Sequence, residues 1–311
     1  MATDYILFVH GVKSRSKEDF KKNTTALFQP IEKTLSPRGT IVKPIRCFWG
    51  GCGEDSLNHL RGQMKKSSAW DKLWFKEFRQ DQIFEFVGDA ALYLSRAVGA
   101  EVVDRIYDTT AQSLSQIETG DRLHLVTHSW GTVILFDLLF AKRWISPTFQ
   151  QENPEAAEKV ATIRNILFGL GSNPNEGLKL GSIHTMGSPI ALFNLINSNT
   201  NSSHDLTPEL NQFLQNLRNE TNRALPWNNY IHPGDPIAYP LEGVSQEFFT
   251  ATGNDGTVLL RDLVVKTNSF GENTMGILQG NFLSILYGGS AHNSYWNIGD
   301  IPKSIAQAIQ P

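Results

Sequence analysis

The stretch Leu123-His124-Leu125-Val126-Thr127-His128-Ser129-Trp130-Gly131-Thr132-Val133 joins an apolar, strand-like run to an apolar, helix-like run, with a serine at the joint. A sharp turn there pushes the serine Oγ clear of the backbone. The following helix aims its N-terminus back at the serine, where its dipole and free N–H groups favour developing negative charge. Small residues two positions before and two after let strand and helix approach closely. Gly131 fills the later position, while the earlier one holds the bulkier, β-branched Thr127. The chemistry this arrangement suits is nucleophilic attack by a serine oxygen; the plain alternative is a serine that only caps its helix.

The pattern resembles the nucleophile elbow of the α/β-hydrolase superfamily, Gly-x-Ser-x-Gly, with Thr127 in place of the first glycine. Other residues are similar to the lipase-like members. His10-Gly11 follows the first strong strand, as the His-Gly signature does there. The resemblance implies an oxyanion hole built from the backbone N–H of Val12, or alternatively Gly11, and that of Trp130. It also implies the chain order nucleophile, acid, histidine. His292, in the glycine-rich loop Gly288-Gly289-Ser290-Ala291-His292, is the only histidine after His232 and takes the role of base. Asp235, in the turn His232-Pro233-Gly234-Asp235-Pro236, takes the role of acid. Asp205, Asp255, Asp262 and Asp300 compete with it: Asp205 and Asp300 read as helix caps, Asp255 as a hairpin turn and Asp262 as part of a strand.

On these residues the resemblance implies a serine hydrolase that cleaves a carboxylic ester through an acyl-enzyme on Ser129, without metal or cofactor. Lipase, thioesterase and amidase activities fit the same triad, and a non-catalytic binding protein on this fold is the reading from another class. His10, His128 and Trp74 are candidates to line the pocket. The ring of His10 also fits a strand-end histidine that hydrogen-bonds a loop. No ligand spacing supports a metal site from His10, His128 and His232.

Positioning these groups requires a particular framework. Tyr5–Val9, Thr40–Trp49, Asp121–Thr127, Leu178–Thr185, Asn228–Ile231 and Val258–Val265 read as strands, and Pro44 suits an edge or bulged strand. Ser16–Leu35, residues 82–117, Trp130–Lys142, Leu206–Glu220 and Ile301–Ile309 read as helices. Ser16 and Asp19 have N-cap spacing, and Pro30 puts a kink or break in the first helix. The alternation predicts one α/β domain over 1–311, an α/β-hydrolase fold with a mostly parallel sheet and helices on both faces. Residues 50–80 and 144–178 are expected as cap-like insertions. Trp70, Trp74 and Phe78 would share one face of a helix carrying Lys65, Lys66, Lys72, Lys76 and Arg79. That basic-aromatic stretch at 65–79 either packs on the domain or makes a weak contact with a lipid surface.

The bulk numbers fit this picture. A chain of 311 residues, 40% hydrophobic and 19% charged, has an ordinary globular composition. A net charge of −3 with no basic stripe argues against nucleic acid. The two cysteines, Cys47 and Cys52, are too few for a disulfide scaffold or a zinc site and read as reduced and buried. The N-terminal apolar run is short and lacks a basic leader, and no stretch reaches ~18 apolar residues, so a cytoplasmic protein without a transmembrane segment is expected. The expected partner is a small-molecule or lipid ester substrate.

Overall fold

A computed structural model describes residues 2–12, 14, 16–74, 76, 84, 88–89, 91, 93, 96–114, 117–168, 177–193, 208–243, 256–266 and 290–310. Its centre is a six-stranded sheet in the order β2-β1-β3-β4-β5-β6, with every pairing parallel. The strands are β1 Thr3–Val9, β2 Ile41–Cys47, β3 Arg122–His128, β4 Lys179–Met186, β5 Leu225–Ile231 and β6 Val258–Val264. The architecture is α/β, consistent with an α/β-hydrolase-like fold. The proline at position 44 lies on the edge strand β2, where a missing ladder donor is tolerated.

Side chains alternate across the strands, so each strand feeds two cores. Tyr5, Leu7 and Val9 of β1 join one cluster; Ile6 and Phe8 join the other. The first cluster is covered by α3 (Arg96–Ser113), α4 (Trp130–Phe140), α5 (Pro154–Phe168) and α6 (Pro208–Thr221). The second is covered by α1 (Lys17–Leu35) and α7 (Asp300–Ile309), which bury Leu27, Ile31, Leu35, Ile301 and Ile305. Helices on both faces are what an all-parallel sheet requires. The helix α2 (Glu54–Lys65) follows β2.

Ser16 caps α1 as expected, its Oγ accepting the Asp19 N–H at 3.0 Å. Pro30 does not break α1, which runs on to Leu35. The buried stripe Leu27, Phe28, Ile31 and Leu35 holds the helix together by tertiary packing, which outweighs one missing backbone bond.

The helix expected over 65–79 does not form as one piece. The chain leaves α2 at Lys65, makes a single 3-10 turn at Trp70–Lys72, and becomes extended at Leu73 (φ −73°, ψ 139°). Trp70 and Trp74 therefore do not share one face of a continuous helix; Phe78 and Arg79 lie outside the described residues. Within the second expected insertion, α5 contributes Val160, Ile163 and Leu167 to the first core and packs on α3, so that part belongs to the framework. Asp205 and Asp255 also lie outside the described residues.

Cys47 and Cys52 are free and buried, and burial pushes the Cys47 thiol up to about 12 and Cys52 up to about 11. Among the described residues no helix is long and apolar enough to cross a membrane.

Candidate active site

The chain runs from β1 outward to β2, then returns to the other side of β1 to begin β3. Loops leaving the ends of β1 and β3 therefore diverge and open a crevice, the usual place for a ligand in such sheets. His10-Gly11 and Ser129 occupy those two strand ends.

Ser129 has φ 55° and ψ −131°, a left-handed conformation that costs a non-glycine residue roughly 1–3 kcal/mol. The surroundings enforce it. The Ser129 N–H donates to the Met186 carbonyl at 2.9 Å, and its own carbonyl accepts from Thr132 N–H at 3.1 Å. A Cβ on Gly131 would lie 2.3 Å from the His10 carbonyl oxygen, so only glycine lets α4 approach β1 this closely. Gly11 abuts the serine: its Cβ would lie 2.4 Å from Ser129 Cβ and 2.9 Å from Oγ. Thr127 is accommodated at the earlier elbow position with its hydroxyl 2.8 Å from that of Thr132, so the bulkier residue is tied to the first turn of α4.

His292 and Asp235 come from the loop before α7 and the turn after β5. The Nδ1–H of His292 donates to Asp235 Oδ2 at 2.8 Å. Burial alone would raise the Asp235 pKa. Hydrogen bonds from His292, the charge on that ring, the Ile237 N–H at 3.0 Å and the Tyr295 hydroxyl outweigh it, so the carboxyl sits below the ordinary range. The competitor Asp262 is engaged elsewhere, accepting from Asn229 Nδ2 and from the Leu241 and Glu242 N–H groups. Asp300 stands in the first turn of α7, 3.0 Å from Lys303.

The serine and the imidazole flank the same short segment. Ser129 is bonded to Met186, and a Cβ on the adjacent Gly187 would lie 3.1 Å from His292 Nδ1 and 2.8 Å from Asp235 Oδ2. His128 bridges the two directly: its Nε2–H donates to the His292 carbonyl at 2.7 Å, and the two rings stand 4.7 Å apart. Among the described residues, Ser129 Oγ and His292 Nε2 are both buried and have no hydrogen-bond partner. Buried polar atoms without a partner are uncommon and call for an explanation, and in a catalytic site such hydrogen bonds often tighten only once substrate is bound.

His10 is fixed by backbone on every side. Its Nδ1–H donates to the Gly11 carbonyl at 2.6 Å, and its Nε2 accepts from Trp49 N–H at 3.0 Å and Gly50 N–H at 3.2 Å. The ring stacks on Trp49 at 5.1 Å, and the Trp49 indole N–H returns a bond to the His10 carbonyl. Because C=O and N–H point in opposite directions across a trans peptide, this turns the Val12 N–H away from the ring. Trp74, the third pocket candidate, is a surface residue, 79% exposed.

Tyr295 was not legible from the sequence as a site residue. Its hydroxyl donates to Asp235 Oδ2 at 2.8 Å and accepts the His232 N–H at 2.8 Å. Its spacing of three from His292 in a short helical turn is the only signal that could have pointed to it.

No protein-family model matches this chain. It is 24% identical over 290 residues to a mouse (Mus musculus) protein named Phospholipase DDHD1. The match covers 77% of this chain and 48% of that protein, so the chain spans about half the length of the curated relative it matches. A crystal structure of an uncharacterized Bacillus cereus protein aligns at 10% identity with a TM-score of 0.35, over 92% of this chain and 61% of that one. At that score the structural likeness bears no weight. The chain thus has distant similarity to a lipase-type hydrolase.

Proposed function

We propose that this chain is a lipase-like serine hydrolase that cleaves a carboxylic ester through an acyl-enzyme on Ser129. The observation that carries the reading is the pair of buried, unpartnered atoms, Ser129 Oγ and His292 Nε2, backed by the 2.8 Å bond from His292 to Asp235. The distant phospholipase relative supports a lipid ester as substrate class.

His292 Nε2 takes the hydroxyl proton as Ser129 Oγ forms a bond to the acyl carbon. Asp235, already ionised, holds the Nδ1–H tautomer and stabilises the imidazolium. The tetrahedral oxyanion is met by the Trp130 N–H at the start of α4 and by the Val12 N–H, or alternatively that of Gly11. The C–O bond to the alcohol then breaks, and the alcohol leaves with the proton from His292. Water, deprotonated by the same ring, cleaves the acyl-enzyme and returns the serine.

The test is covalent labelling with a fluorophosphonate. Wild-type chain should label, and Ser129→Ala should not. Asp235→Asn should lower turnover on the order of ten-thousand-fold with the fold kept. A folded wild-type chain that fails to label would instead be a binding protein on this fold. Nitrophenyl esters of increasing acyl length, with and without a lipid interface, separate a lipase from an esterase.

A further inference from the structure

Three arginines, Arg218, Arg223 and Arg261, line one cavity of about 630 Å3. It lies along one face of β5 and β6, between the end of α6 and the second half of α7. Among the described residues no Asp or Glu lines it. Arg223 makes a long bond of 3.5 Å to the Ala308 carbonyl, and among the described residues no carboxylate is paired with any of the three. Two other arginines are neutralised: Arg122 by Asp4 at 2.7 Å, and Arg143 by Asp137 at 2.9 Å. Neutral donors complete the lining, with Asn228 Nδ2 bonded to Ser304 Oγ at 3.0 Å.

Like charges gathered in a concavity repel one another, and an anion relieves that repulsion. We propose that this cavity binds a phosphate-bearing anion through Arg218, Arg223 and Arg261. A single carboxylate would leave most of the positive charge uncompensated, whereas a phosphate dianion offers oxygens on several sides. Guanidinium forks meet such oxygens two at a time, and the hydroxyl and amide donors suit those that remain.

The site is separate from the elbow. Ser129 and Asp235 follow the C-terminal ends of β3 and β5, while this cavity runs along one face of β5 and β6, past Pro226, Asn228, Leu259 and Leu263, and shares no lining residue with the elbow.

The test measures binding of inorganic pyrophosphate to the full chain by calorimetry at fixed ionic strength. In parallel, the chain is sedimented with phosphatidylcholine vesicles, with and without phosphatidic acid. Wild type should bind at least one of the two phosphate probes saturably. The double variant Arg223→Gln/Arg261→Gln should bind it roughly a hundredfold more weakly. Pyrophosphate binding without vesicle binding assigns the site to a soluble phosphate compound; arginine-dependent binding to the phosphatidic acid vesicles assigns it to a lipid headgroup. If wild type binds neither probe, or the variant binds as well as wild type, the proposal fails. Circular dichroism verifies the variant's fold, and Arg218→Gln serves as the second variant should the double one unfold. The readout is binding alone, so it stands or falls independently of the chemistry at Ser129.

Discussion

The imidazole of His128 holds the backbone of His292: its Nε2–H meets the His292 carbonyl at 2.7 Å. The residue before the serine thus anchors the loop that carries His292, and the two halves of the candidate site are fixed to each other independently of the serine's own hydroxyl.

Replacing His128 with Phe keeps an aromatic ring but removes that donor. A buried carbonyl left without its partner costs about 1–3 kcal/mol, and the His292 loop loses its anchor. Fluorophosphonate labelling of Ser129 should slow by roughly tenfold or more while circular dichroism stays native. An unchanged labelling rate would mean that other contacts position the loop.

Tyr295→Phe removes one of the two hydrogen bonds to Asp235 Oδ2. Asp235 is then held less firmly against the ring, and kcat should fall roughly threefold to tenfold with KM little changed. A merely structural role for the tyrosine would lower stability without lowering kcat.

Gly11→Ala places a methyl 2.4 Å from Ser129 Cβ. Neither strand end can retreat, because the Gly131 backbone already abuts the His10 carbonyl. The expected outcome is a folded protein destabilised by about 1–3 kcal/mol that no longer labels. Urea unfolding and labelling of the same sample check both halves.

Acid should destabilise the fold well above the range where carboxylates titrate. Burial first, and the neighbouring His292 second, depress the His128 pKa from 6.5 to about 3. Burial first, and His124 second, do the same to His184. Between these values the unfolded chain binds more protons than the folded one, so stability is full above pH 6.5 and declines as pH falls toward 3. The slope should be roughly 1 kcal/mol per pH unit for each ring. Urea midpoints from pH 7 to pH 5 measure it, and the slope should be shallower in the His128→Phe variant, with the share of His184 and of the likewise depressed His124 retained.

The sheet was readable because strands buried on both faces are short, continuous apolar runs, as in Tyr5–Val9 and Arg122–His128. Ser129, Asp235 and His292 could be named from a local pattern and from chain order, and the geometry brings Asp235 and His292 together at 2.8 Å. Tyr295 and the bridging part of His128 could not, since each acts through a contact far away in the chain: 60 residues for Tyr295 to Asp235, 164 for His128 to His292. The aromatic spacing at Trp70 and Trp74 suggested a helix because periodicity carries no information about where a turn stops, and the chain turns extended at Leu73. Pro30 misled in the opposite direction, because local propensity cannot weigh the buried stripe that holds α1.

The contorted backbone at Ser129 sets stability against activity. Glycine adopts φ 55° without steric penalty, so Ser129→Gly should give a more heat-resistant protein, by on the order of 1 kcal/mol after the added flexibility of the unfolded chain is counted. That protein would be inert. A chain under pressure for robustness alone would drift toward glycine at this corner, which makes the position a gauge of whether the hydroxyl is being put to use.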